Sequence, residues 1–315
     1  MIAPEVVVMD ANTFDVVVVG AGAAGLNAAL VLARARRRVA VIDGGARRNG
    51  AASHMHGVLS RDGMPPSQLW ESGPAEILGY GVELITDRVT RIDHGFVVHL
   101  ADGRALRTRR VLVATGLRDE LPDIPGVRER WGSDVLHCPY CHGYEVRDQP
   151  IGVIAALAPK LALHLALMLP QWSSDLVFFP HTTALTPGER EQLTARGVHV
   201  ADGRVARLVV HGDALRGVEL ENGQVVARSA VFVGPLFVPR DELLIGLGCE
   251  IDDDGWVRTD PTGRTSAAHT AGGACRPHAL CAVRCENPYR RGSATRGLSA
   301  AAGTITSRCS ATTAP

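Results

Sequence analysis

The chain has 315 residues, 46% of them apolar, and its 33 basic and 33 acidic side chains balance to a formal charge of zero. At roughly 150 residues per domain that length holds about two domains, each with its own core. The charge balance argues against a nucleic-acid or membrane-surface partner, and no apolar run reaches the roughly 20 residues that span a bilayer.

The start, Met1-Ile2-Ala3-Pro4-Glu5, lacks the basic and small-residue features of a signal peptide, so a cytoplasmic location is expected. There cysteine is by default a thiol or a catalytic dithiol. Residues 14–19 form a β-branched apolar run and predict a strand. Gly20-Ala21-Gly22-Ala23-Ala24-Gly25 then opens an Ala- and Leu-rich helix to about residue 35, and a second strand over residues 39–42 ends at Asp43. Strand, G-x-G-x-x-G, helix, strand and acid in that order make a dinucleotide-binding fingerprint. Gly20 permits the tight turn, Gly22 lets a pyrophosphate approach the backbone, and Gly25 lets helix and strand pack closely. Ala23 and Ala24 begin the helix whose N-terminus faces the phosphates. Asp43 is placed to accept hydrogen bonds from an adenosine ribose. Arg34, Arg36, Arg37 and Arg38 read as cations complementing the dipole at the helix C-terminus.

Residues 82–113 alternate in strand fashion, with turns at His94-Gly95 and Asp102-Gly103. Residues 110–113 predict a buried strand that closes in the tight turn Ala114-Thr115-Gly116. Residues 121–126, with two prolines, read as a crossover between domains.

The segment His137-Cys138-Pro139-Tyr140-Cys141-His142-Gly143-Tyr144-Glu145 follows. Two cysteines separated by two residues can close a small disulfide or hold one sulfur as a thiolate, and either state suits thiol–disulfide exchange. Half of a zinc site has the same spacing. Here the adjacent histidines would splay apart as ligands and no second C-x-x-C lies at finger spacing, so no metal is assigned. His142 is a candidate base, since imidazole titrates near pH 6.5, and Glu145 is a second. An ordinary loop histidine is the other reading of His142.

Residues 151–156 look like the first strand of a second nucleotide-binding unit, with a helix over about 161–169 and a strand over 176–179. Its loop has lost the glycines and reads Ala155-Ala156-Leu157-Ala158-Pro159-Lys160. Side chains there obstruct a pyrophosphate. Between Phe178 and Pro187 no arginine is present to pair with a 2′-phosphate, only His181. Both features argue against NADPH as a second cofactor.

Together these residues resemble the low-molecular-weight thioredoxin reductase family of flavoproteins over about residues 14–266. The resemblance rests on Gly20/Gly22/Gly25/Asp43, Ala114-Thr115-Gly116, Cys138-x-x-Cys141 ahead of the second unit, and Gly248-Cys249-Glu250-Ile251-Asp252-x-x-Gly255. It implies an α/β fold of two Rossmann-like three-layer nucleotide-binding domains, the second inserted in the first. Residues 1–117 plus 241–315 would bind FAD, with contacts from Gly20, Gly22, Ala23, Ala24, Gly25, Asp43, Thr115 and Gly116. Residues 118–240 would form a pyridine-nucleotide-like domain carrying the redox cysteines. Within the family, the segment around Cys141-His142 is similar to the small-molecule dithiol oxidases, which close disulfides in natural products such as gliotoxin and holomycin. Those enzymes typically have a histidine where the reductases have an aspartate, and they pass electrons to oxygen without NADPH.

The implied reaction is oxidation of a small-molecule or peptide dithiol, with Cys138 meeting the substrate, Cys141 facing the flavin, and molecular oxygen accepting the electrons as hydrogen peroxide. The resemblance also implies a homodimer. Two other functions stand beside it: an NADPH-dependent thioredoxin-type disulfide reductase, and a non-catalytic flavin-fold remnant with a disrupted C-terminus.

The last arises from the tail. Family members continue after the position of Ser266 with a short strand, an Ala-Gly-Asp segment and a helix, whereas Gly273 stands here at or near the aspartate position. Cys275, Cys281, Cys285 and Cys309 fall in this stretch, and Glu286 is its only acid against Arg276, Arg284, Arg290, Arg291, Arg296 and Arg308. Three readings stay open: a shifted reading frame in the coding DNA, a divergent basic tail, or a zinc site of Cys275, His278, Cys281 and Cys285.

Overall fold

Four consecutive valines, Val16 to Val19, stiffen β1 (Thr13–Val19) into extended backbone, because branching at Cβ restricts χ1 and suits a pleated surface. The structure, a computed structural model, describes residues 12–267 and the pair Cys281–Ala282. After β1 come α1 (Ala23–Arg34), β2 (Val39–Asp43), α2 (Pro66–Leu78), β3 (Glu83–Thr86), β4 (Val89–Ile92), β5 (Val97–Leu100) and β6 (Ala105–Val113). They build a sheet in the order β3-β2-β1-β6-β5-β4, parallel from β3 to β6 and antiparallel beyond. Alternate β1 residues serve opposite faces. Val16 and Val18 pack with Leu26, Ala29 and Ile77 of the two helices, while Val17 and Val19 pack with Val98, Leu106 and Leu244. Both faces are therefore covered, which is why the strand reads as a continuous apolar run.

β7 (Leu117–Glu120) leads to β8 (Val135–Leu136), α3 (Pro139–His142), β9 (Ile151–Ile154), α4 (Pro159–Met168), β10 (Leu176–Phe179), α5 (Pro187–Ala195) and β11 (Val198–Val200). Next are β12 (Val205–His211), β13 (Ala214–Leu220), β14 (Val225–Ala227), β15 (Ala230–Val233), β16 (Leu236–Pro239), α6 (Glu242–Gly246) and β17 (Cys281–Ala282). The second sheet is parallel throughout, in the order β11-β10-β9-β15-β8. An antiparallel sheet β12-β13-β14 covers one of its faces, where Leu208, Leu215 and Val218 meet Ile154, Phe179 and Val231. This is the expected α/β class with two Rossmann-like units.

The passage between the two sheets is not the proline-rich stretch alone. It begins earlier, in β7, which pairs antiparallel with β16 (Leu117 opposite Pro239, Glu120 opposite Leu236). Each has four residues, β7 mostly charged and β16 uncharged and ending in proline, too short a run for a pattern to be read from sequence. Helix α2 has no clear helical signal in the sequence either, because Pro74 within it breaks the pattern. In the tail, β17 adds a parallel strand beside Leu112 and Val113 of β6. The readings of Gly273, Cys275, His278, Cys285 and Cys309, and of the closing helix, fall outside the described residues. Among the described residues no helix is long and apolar enough to cross a membrane.

Candidate redox site

The glycines of the fingerprint do three different jobs. Gly20 has φ +106°, and a Cβ there would lie 2.5 Å from the Ala114 carbonyl oxygen. A Cβ on Gly25 would sit 1.8 Å from the Gly20 carbonyl oxygen, so α1 can rest on the loop only because the side chain is missing. At Gly22 a Cβ would meet no protein atom within 4 Å. Gly22 faces open space, a cleft of about 800 Å³ lined also by Gly20, Ala23, Ala24, Asp43, Thr115 and Gly116. Gly25 stands behind this lining as a packing residue.

Asp43 ends β2 at the rim of the cleft. Its carboxylate accepts from the Gly45 amide (3.0 Å) and is held in a fork by Arg47, one arm at 2.6 Å. The Arg47 hydrogen bond is the main cause of its lowered pKa, so Asp43 is ionised at neutral pH. The Arg47 guanidinium lies over the ring of Trp70. Across the cleft, the Thr115 hydroxyl donates to the Arg240 carbonyl, and the Arg240 amide donates to the Gly116 carbonyl (3.0 Å). The residues present therefore fit a dinucleotide: open space where a pyrophosphate must approach, a helix N-terminus beside it, and an ionised acceptor at the strand end.

Cys138 and Cys141 are joined as a disulfide, with their Cα atoms 5.3 Å apart. The Cys141 and His142 amides both donate to the Cys138 carbonyl (3.2 and 3.1 Å), which curls the segment into α3. Pro139, at the first position of that helix, needs no donor. Cys141 and His142 line the same cleft as the glycine loop; Cys138 does not. Under the turn, a Cβ on Gly143 would come within 2.9 Å of Trp172 Nε1, so glycine lets the indole pack there. Tyr140 meets Trp172 edge-on, and Tyr140 and Tyr144 are both largely exposed.

His142, His137 and His56 all line this cleft. Burial lowers the pKa of His142 against the opposing pull of Glu145, which keeps its imidazole neutral at pH 7 and able to accept a proton. His137 stacks on Trp131 and meets the edge of Phe237. Burial, helped by the Arg48 charge, lowers its pKa to about 4. Arg48 forks onto Asp119 (2.8 and 2.7 Å) and approaches His137 Nε2 at 3.4 Å, a contact that suits the tautomer with its proton on Nδ1. His56 places Nε2 3.5 Å from Glu145 Oε1 and Nδ1 3.4 Å from Asp62 Oδ1. His142 and Glu145 are candidates on sequence alone, whereas His56, Arg47 and Arg48 come to the cleft, and Asp62 to His56, only in the fold. The available signals were His54-x-His56-Gly57 and Asp62-Gly63, in a loop without periodicity.

At the second, glycine-poor loop, Thr183 donates to the Ala155 carbonyl (3.3 Å), and α4 begins directly at Pro159. His181 uses Nδ1 to accept the Val205 amide (3.0 Å), a structural engagement. No group of three or more potential metal ligands is found among the described residues.

Residues 14–276 match the pyridine nucleotide-disulphide oxidoreductase family. The chain belongs to that family. Its relatives use FAD, and the protein is an oxidoreductase acting on disulfides. The crystal structure of HlmI is 56% identical, with a TM-score of 0.80 over 87% of this chain and 85% of that one. The oxidoreductase from Agrobacterium tumefaciens is 37% identical, with a TM-score of 0.76 over 86% of this chain and 88% of that one. Thioredoxin reductase tcpT from Claviceps purpurea is 30% identical over 78% of this chain and 81% of its own length.

Proposed function

We propose that this family member is a dithiol oxidase that closes a small-molecule or peptide dithiol into a disulfide and uses molecular oxygen as the final acceptor. One observation supports thiol-to-flavin electron transfer: Cys141 of the disulfide lines the cleft that Gly20, Gly22 and Asp43 form, whereas Cys138, which does not line it, is the sulfur we assign to an external thiol. The backbone of Gly20, Gly22, Ala23 and Ala24 would hold the pyrophosphate of FAD, Asp43 its ribose, and Thr115 and Gly116 would form the opposite wall. Bound FAD supplies a two-electron acceptor. We also propose that residues up to about 117 and from about 241 make the FAD domain, with 118–240 inserted between them.

His142, neutral at pH 7, takes the proton of a substrate thiol. The thiolate attacks Cys138 Sγ, the Cys138–Cys141 bond breaks, and Cys141 keeps the electron pair. The second substrate thiol then attacks the sulfur bound to Cys138 and releases the product disulfide.

The relatives called thioredoxin reductases favour a second reading, an NADPH-dependent reductase. The glycine-poor loop Ala155-Ala156-Leu157-Ala158 speaks against it. The test is the visible spectrum of purified protein before and after each reductant. On the oxidase reading, dithiothreitol bleaches the flavin band without oxygen, peroxide forms in air, and Cys138→Ser and Cys141→Ser abolish both. Prompt anaerobic bleaching by NADPH would establish the reductase instead. Activity that survives both substitutions would remove the disulfide from the mechanism, and a protein that never holds flavin would match the inactive remnant.

A further inference from the structure

Closing a disulfide from two thiols releases two protons, and they are released in a half-buried cleft. For each product formed, both S–H protons pass to a base, two electrons enter the Cys138–Cys141 bond, and the two enzyme sulfurs leave as thiolates. The base must lose each proton before it can accept the next. His142 itself is partly buried, so an exit is needed.

We propose that His56 and Asp62 form a proton relay that carries the substrate protons from His142, by way of Glu145, to solvent. The inference rests on the dithiol reading above. His56 lies on the irregular segment between β2 and α2, far from α3 in sequence. That segment is a built hairpin: the Met55 amide donates to the Met64 carbonyl (2.9 Å), and the Gly63 amide donates to the Met55 carbonyl (2.9 Å). Gly57 and Gly63 make its turns at φ +77° and +76°, and the Gly57 amide donates to Asp62 Oδ1 (2.9 Å). The hairpin fixes Asp62 on one side of the imidazole and leaves the other side to Glu145.

The path would end at its most exposed member: the Asp62 side chain is 66% accessible, against 41% for Glu145 and 21% for His56 between them. Each ring nitrogen of His56 faces one carboxylate, Nε2 at 3.5 Å from Glu145 and Nδ1 at 3.4 Å from Asp62. Imidazole can take a proton on one nitrogen and release it from the other, which a carboxamide of the same reach cannot do. His56 and Asp62 are thus positioning and transfer groups that act through His142. His54, with its ring centroid 6.5 Å from that of His56, is the remaining titratable neighbour in the loop.

The experiment follows reduction of the Cys138–Cys141 disulfide in the flavin-loaded protein by dithiothreitol without oxygen, quenched with maleimide and counted by mass. His56→Gln, which keeps bulk and a bond to Glu145, is expected to slow this single event by about tenfold or more at pH 7, with a smaller loss in Asp62→Asn. In His56→Ala, added imidazole is expected to restore the rate in proportion to its concentration, because a diffusible carrier replaces the missing one. Variants as fast as the parent would overturn the relay. So would slow variants that ignore imidazole, since those report a structural role only. A parent disulfide inert to dithiothreitol would sink the relay and the dithiol reading together. A parent that is reduced but makes no peroxide would sink the oxidase alone, with the relay still read from the variants.

Discussion

Gly22 and Gly25 belong to one motif, yet replacing each with alanine should damage the protein in different ways. At Gly25 the new methyl would lie 1.8 Å from the Gly20 carbonyl oxygen, and a tolerable contact needs about 3.0 Å, so backbone must move by about 1.2 Å. Alanine gains up to about 1 kcal/mol in a helix. Overpacking against backbone costs about 3 kcal/mol, because no flexible side chain can yield. The net is a loss of about 2 kcal/mol, with α1 pushed off the loop. Gly22 has φ −71° and nothing within 4 Å of its absent Cβ, so alanine fits the empty protein. There the cap preference for glycine, worth a few tenths to about 1 kcal/mol, roughly offsets the reduced freedom of the unfolded chain. The methyl instead projects into the cleft. Flavin-free Gly22→Ala should melt within a degree or so of the parent but bind FAD about ten- to a hundredfold more weakly, or about 1.4–2.8 kcal/mol. Flavin-free Gly25→Ala should melt several degrees lower. Thermal unfolding of the stripped proteins, paired with flavin titration by fluorescence quenching, reads both quantities. A Gly25→Ala protein as stable as the parent, or a Gly22→Ala protein with unchanged affinity, would refute the division of labour.

His137 makes stability fall in mild acid. Its folded pKa of about 4 lies below the unfolded value near 6.5, so the unfolded chain takes the proton first. Above pH 6.5 the imidazole is neutral in both states and adds no slope; from about 6.5 down to 4 stability falls, by about 2 kcal/mol between pH 7 and 5. Urea unfolding at those two values should show this, and His137→Phe, which keeps a ring between Trp131 and Phe237, should flatten it; an equal slope in the variant would reject the assignment. Arg48→Ala strips the nearly buried Asp119 carboxylate of its fork and should cost about 1–3 kcal/mol, while Arg48→Lys keeps the charge but restores only part. Removing the Arg48 charge should also raise the His137 pKa, narrowing the acid window, and unchanged unfolding of Arg48→Ala at both pH values would count against the clamp.

What could be read from the sequence was what steric or chemical necessity ties to one residue type. Gly20 and Gly25 stand where a Cβ cannot, the valines of β1 are buried on both faces, and the cysteine spacing permits a disulfide. Those features need only local sequence. His56 meets Glu145 across 89 residues, through a loop without helical or strand periodicity, and nothing local marks the partner. Asp43 was read correctly as the acid at a strand end, but its pairing with Arg47 was not. That contact depends on how the chain turns at Gly44 and Gly45. The β7–β16 ladder escaped for the same reason, since neither four-residue strand has a pattern of its own.

The ladder has a mechanical consequence. Among the described residues the backbone passes between the two sheets twice, and the two passages are hydrogen-bonded to each other in opposite directions. Two separate linkers would act as a pivot, whereas a paired ribbon behaves as a flexure that resists bending and twists only as a unit. The Thr115 hydroxyl clips one end, and the Arg48 fork onto Asp119 bolts the ribbon to the segment after β2. With the ribbon as described, Cys141 and the glycine loop share one cleft without any further movement of it. On the proposed reading, turnover is paced by encounters of thiols with Cys138, and a more viscous solvent should slow it only as far as it slows those encounters.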